Sequence, residues 1–145
     1  MTSKEYLMQG YRLEHRIKLH QEEIERLREL ACSCGSPTLE EHYNPNPNTK
    51  SPFESILLTV FDMEKEHAAM LEQLLALKNQ IIETINTVEN VDERLVLRYR
   101  YICNNTWNAI GDKLCFDERT IRRWHDRALT HVTLPANPIW VENYF

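Results

Sequence analysis

A chain of 145 residues favours one compact unit, or one small domain with an extension. Hydrophobic residues make up 42% of it, enough to build a core, while only three glycines occur, at positions 10, 35 and 111. That scarcity argues against a turn-rich β fold and excludes the glycine-rich phosphate cradles of nucleotide-binding enzymes.

The net charge of −5 is unevenly spread. Residues 1–90 carry nine Lys/Arg against fifteen Asp/Glu, whereas residues 91–131 carry eight against six. An acidic body followed by a mildly basic end suits a protein whose C-terminal part meets a polyanion. The first residues contain no apolar leader, and the longest apolar run, around residues 56–61, is about six residues long. A cytoplasmic protein with no membrane contact is expected, its four cysteines (Cys32, Cys34, Cys103 and Cys115) reduced.

In chain order, residues 4–31 hold a stripe of Tyr6, Gly10, Leu13, Ile17, His20, Ile24, Leu27 and Ala31. The alternating spacings of four and three predict a long helix with a coiled-coil-like seam. Residues 32–52 break it, because Pro37, Pro45, Pro47 and Pro52 forbid continuation. Ser51, Pro52 and Glu54 then read as a capping box opening a second helix over 53–86. Its seam is Ile56, Val60, Met63, His67, Met70, Leu74, Leu77 and Ile81, widened by Leu57, Leu71, Leu75 and Ile82. Two such helices predict an antiparallel hairpin over residues 1–88. The extra apolar width predicts a homodimer. His20 and His67 both lie on the seams, so a hairpin would bring them near each other.

Residues 89–131 predict three shorter helices: one over 91–102 with Val91, Leu95, Val96, Tyr99 and Ile102 inward, one capped by Asn105 or Thr106, and one capped by Asp117. The last two have the residue types of a helix-turn-helix. Gly111 provides room for a close crossing and Leu114 ends the first helix, whereas Cys115 departs from the glycine that usually stands at this left-handed turn position, at the cost of some strain. Ile121, Trp124 and Ala128 are anchors three and four apart, which leaves Glu118, Arg119, Arg122, Arg123 and Asp126 outward. Arginine pairs bidentately with guanine and with phosphate, so this face suits a major groove. Trp107 and Trp124 sit at apolar positions and are expected to pack rather than stack on bases. Arg98 and Arg100 suit phosphate contacts or pairing with acids equally well.

No nucleophile is set beside a base and an orienting acid, so no catalysis is expected. Cys32-x-Cys34 with His42 lacks a second ligand pair, and Glu64-x-x-His67 lacks its matching motif, so no cofactor or metal is expected. The tail over 132–145 is too proline-interrupted for a helix, yet carries Ile139, Trp140, Val141, Tyr144 and Phe145. The first expectation is that it docks on the protein's own dimer, and the second that it docks on a partner.

The stretch ERLVLRYRYICNNTWNAIGDKLCFDERTIRRWHDRAL resembles region 4 of bacterial sigma factors, through Leu97-Arg98-Tyr99, Trp107, Ile110, Leu114, Thr120-Ile121, Trp124, Ala128 and Leu129. In architecture the chain resembles phage late-gene transcriptional activators of the ArpU and RinA type. The resemblance implies an all-α regulator of phage or prophage genes, bound to double-stranded promoter or operator DNA in the host bacterial cell and working with host RNA polymerase. Arg119, Thr120, Arg122 and Arg123 would face the DNA, with Arg127 and Glu118 completing the expected binding set. Two rival readings are a DNA-packaging protein like a small terminase subunit and a host-protein inhibitor that retains a helix-turn-helix.

Overall fold

The computed structural model describes residues 1–33 and 51–141, and these are all-helical, with no strand among them. Helix α1 spans Ser3–Ser33, α2 Pro52–Asn86 and α3 Val91–Leu97. A π-helical turn over Arg98–Ile102 follows, then α4 over Trp107–Leu114 and α5 over Glu118–His131. The described residues fall into two compact units: Arg16–Leu71, and Met1–His15 together with the chain from Glu72 onward.

Helices α1 to α4 each start where a side chain takes up backbone N–H groups left without intrahelical partners. The Thr2 hydroxyl accepts from the Glu5 N–H at 3.2 Å, and the Glu5 carboxylate accepts from the Thr2 N–H at 2.8 Å. This reciprocal box opens α1. At α2 the predicted Ser51 cap is present, its hydroxyl accepting from the Glu54 N–H at 3.2 Å. Asn90 caps α3 by accepting from the N–H groups of Asp92 and Glu93. Of the two caps considered for α4 it is Thr106 that serves, accepting from the Ala109 N–H at 3.2 Å.

In the unit Arg16–Leu71, Ile17, Ile24 and Ala31 of α1 and Val60 of α2 are buried. Arg28 pairs with Glu64, and the His20 Nε2 lies 3.6 Å from the Glu66 carboxylate. The rings of His20 and His67 stack with centroids 5.7 Å apart.

In the other unit, the seam residues Tyr6 and Leu13 of α1 and Leu77 and Ile81 of α2 are buried, and so are Leu7 and Ile85, which the seams did not include. The Tyr6 hydroxyl donates to Gln80 at 2.8 Å, and Lys78 pairs with Glu14 at 3.0 Å. Two glutamines fasten the tail here. Gln9 donates to the Ile139 carbonyl at 3.2 Å and accepts from the Val141 N–H at 2.8 Å. Gln80 donates to the Asn137 carbonyl at 2.9 Å and accepts from the Ile139 N–H at 2.8 Å. The tail thus docks on its own chain, where the two amides satisfy four of its backbone groups. Tyr144 and Phe145 lie outside the described residues.

The segment after Asn90 departs from the single helix expected over 91–102. It is α-helical only to Leu97 and then widens, with the Cys103 N–H reaching the Arg98 carbonyl at 3.1 Å. The inward face also differs. Val91 and Leu95 are exposed, whereas Glu93, Val96 and Leu97 are buried. The face of a seven-residue helix is set by what lies against it, here α5, more than by its own pattern.

Candidate nucleic-acid interface

The basic stretch is held by a small apolar cluster of Val96, Ile110 and Ile121, with Tyr99, Trp107, Leu114 and Trp124 packed around it. The turn between α4 and α5 is tight. Cys115 takes the left-handed conformation, φ 59° and ψ 38°, and the Phe116 N–H returns to the Gly111 carbonyl at 3.0 Å. A Cβ on Gly111 would lie 2.7 Å from the Phe116 carbonyl oxygen. Glycine is thus required by the returning turn backbone, not only by the crossing helix. Phe116 then meets Trp124 edge-on, 4.7 Å between centroids.

Asp117 occupies the N-cap position of α5, but its carboxylate bonds the Thr120 hydroxyl and caps no backbone N–H. That hydrogen bond, helped by the charge of Arg119, holds the Asp117 carboxyl below the usual carboxylate range. Thr120, expected on the binding face, is half-buried with its hydroxyl engaged in this way.

Along α5 the inward residues are Ile121, His125 and Ala128. Trp124 is only half-buried. The anchor spacing is therefore four and three through His125, a position that sequence reasoning passed over. His125 is deeply buried, and its Nε2 lies 2.7 Å from the Tyr101 hydroxyl. Its Nδ1 lies 3.2 Å from the Asp126 carboxylate, and Trp107 meets the ring edge-on at 4.7 Å. The carboxylate fixes the neutral tautomer, in which Nδ1–H donates to Asp126 and Nε2 accepts from Tyr101. Burial lowers the His125 pKa, against the opposing pull of Asp126, and burial pushes the Tyr101 hydroxyl up to about 12.

The outward residues are Glu118, Arg119, Arg122, Arg123, Asp126 and Arg127, all exposed. They are not equivalent. Arg122 donates from Nε and Nη2 to one oxygen of Glu118, at 3.0 and 2.5 Å, and its guanidinium lies 5.8 Å from the Trp107 ring centroid. Arg100 lies 4.4 Å from the same ring and donates to the Asn105 carbonyl at 3.0 Å. Arg119 and Arg123 form no salt bridge among the described residues. Arg127 borders a cleft of about 440 Å³ with Thr87, Glu89, Asn90, Glu93 and His131. Within that cleft the Glu93 carboxylate, almost fully buried, takes His131 Nδ1 at 2.7 Å through one oxygen, while the other has no partner.

Four arginines on one helix thus divide by neighbourhood. Arg119 and Arg123 carry charge held in no salt bridge among the described residues, Arg122 is held in place, and Arg127 stands at an acidic cleft. Among the described residues no three His, Cys, Asp or Glu side chains converge as metal ligands. Cys34 and His42, weighed as ligands from the sequence, lie outside the described residues. Cys32, Cys103 and Cys115 are free and exposed, and no described helix is long and apolar enough to cross a membrane. No family model matches the chain, and no curated protein or solved structure is significantly similar to it.

Proposed function

We propose that this chain is a non-enzymatic regulator that binds double-stranded DNA through α4, the Cys115–Phe116 turn and α5 acting as a helix-turn-helix. The observation that carries this reading is the division of α5: Ile121, His125 and Ala128 hold one side, while Arg119 and Arg123 stand on the other, in no salt bridge among the described residues. A helix so anchored can enter a major groove, where arginine contacts guanine edges or phosphates. Phage or prophage promoters and operators are the proposed targets, and host RNA polymerase the proposed partner in activation, within the bacterial cytoplasm. The cross-helix contacts in the unit Arg16–Leu71, His20 with Glu66 and Arg28 with Glu64, ascend in α1 as they descend in α2. That order supports a hairpin of the two long helices, which we propose as the dimerising body.

The test is a gel-shift titration on promoter DNA at low salt. Wild type should bind, and Arg123→Ala should weaken binding by about five- to 150-fold, which corresponds to ~1–3 kcal/mol. Arg123 is exposed, so its loss should leave the fold intact, as circular dichroism will report. Wild type that binds no DNA at low salt would sink the proposal.

A further inference from the structure

Helix α2 carries more apolar surface than α1 covers. The face that holds buried Val60 and half-buried His67 is one seam. A second stripe, rotated by about 100° around the helix, runs through Phe53, Leu57, Phe61, Ala68 and Leu71, at spacings of four, four, seven and three. Its large members are exposed: Phe61 at 55%, Leu71 at 45% and Leu57 at 44%, with Leu58 beside them at 49%. Single exposed apolar side chains need no explanation, but several along one side of a helix do.

We infer that this stripe of α2, within the unit Arg16–Leu71, is the surface on which a second copy of the chain docks. Three observations select that occupant. First, charge disfavours a polyanion. The described residues of this unit hold five Lys/Arg against eight Asp/Glu, and Glu54 is exposed beside Phe61's side of the helix. Nucleic acid and anionic lipid would both be repelled.

Second, the row presents large side chains at both of its ends, so a two-fold axis across it matches apolar residues with apolar residues, as an isologous contact requires. Glu64, which falls on the row, is already paired with Arg28 of α1, and the Lys65 ammonium lies 4.5 Å from the centre of the Phe61 ring. The row thus brings no unpaired carboxylate to its own middle.

Third, the area suffices. Five large side chains, each roughly half exposed, offer on the order of 450 Å² per copy, so a pair with its polar neighbours reaches the ~1,000–1,200 Å² at which specific interfaces begin.

This inference deepens the dimer proposed above and does not depend on DNA binding. Sedimentation equilibrium of the full chain, without DNA, tests it. Wild type should sediment at twice its 17.3 kDa chain mass at micromolar concentration. The double variant Leu57→Gln/Phe61→Gln should dissociate on the order of 100-fold more readily, with unchanged helical circular dichroism because both residues are already exposed. Val91→Gln, a comparably exposed apolar site on α3, should leave the mass unchanged. A monomeric wild type at about 50 μM, or a double variant that dimerises as tightly as wild type, overturns the inference. So does a monomer that binds vesicles of phosphatidylcholine through this row. None of these outcomes bears on the gel shift, so the DNA reading fails or stands separately.

Discussion

His125 and Tyr101 share one hydrogen bond in the core that holds α5 in place, and both prefer to stay uncharged. Burial lowers the histidine pKa, so in the folded protein the ring resists the proton that the unfolded chain accepts near pH 6.5. Stability from this source is complete above about pH 6.5 and is lost as the pH falls toward the depressed folded value. At the alkaline end the sign reverses. The unfolded tyrosine ionises near pH 10, while the folded one holds its proton to about pH 12. Stability therefore declines as the pH rises through that interval, by about 2–3 kcal/mol at its end. The expected outcome is a plateau in the urea midpoint between about pH 6.5 and pH 10. In Tyr101→Phe the whole curve should drop by ~1–3 kcal/mol, because the buried His125 acceptor is left without its donor, and the alkaline decline should become shallower. Burial also raises the Tyr6 pKa, so some alkaline decline should survive in that variant. A midpoint that does not differ between wild type and Tyr101→Phe at pH 8 would contradict this account.

The turn between α4 and α5 depends on Gly111 because the chain folds back over it. Gly111→Ala would normally strengthen a helix by up to ~1 kcal/mol. Here the new methyl meets a backbone carbonyl, which cannot swing aside as a flexible side chain would. We expect a net loss of ~1–3 kcal/mol in chemical denaturation and weaker DNA binding, since α5 must shift with the turn. Unchanged stability would mean that the turn yields freely. Gly111 and the left-handed Cys115 were legible in the sequence because a turn of this kind is a local device spanning a few residues. The seams of α1 and α2 were legible for a related reason: Leu13, Ile17, Ile24, Leu77 and Ile81 repeat at a helical period and are buried. The short α3 was not, because seven residues hold too little periodicity to tell buried Glu93 from exposed Leu95. The docking of the tail was equally hidden. Gln9 and Val141 meet across 132 positions, and an amide matched to backbone groups so far away leaves no pattern near either residue. The pairing of Arg122 with Glu118, four residues earlier on the same helix, is a local pattern that the sequence reading left unused, whereas the place of Trp107 beside Arg122 could not be read from it.

At the scale of the molecule, charge and assembly bear on the same function. Fifteen acidic side chains in residues 1–90 disfavour any DNA contact with the long helices, so in the proposed function affinity would come from a few cations on α5. One helix-turn-helix of the proposed kind would supply few phosphate contacts and a short read of base edges. Two copies joined through α2 would present two, and the second binding event would then be intramolecular, at an effective concentration far above that of free protein. This makes a prediction in which the two proposals meet. On DNA with two half-sites, wild type should bind about 10- to 100-fold more tightly than on DNA with one. Leu57→Gln/Phe61→Gln, with α5 untouched, should bind the single half-site as wild type does but lose the advantage on the double site. Arg123→Ala should weaken both, and by a larger factor on the double site, where the residue is lost twice. Fluorescence anisotropy at constant salt measures all six affinities. If the double variant keeps the full two-site advantage, the copies must be joined by something other than the α2 stripe, and the coupling between assembly and DNA affinity argued here is wrong.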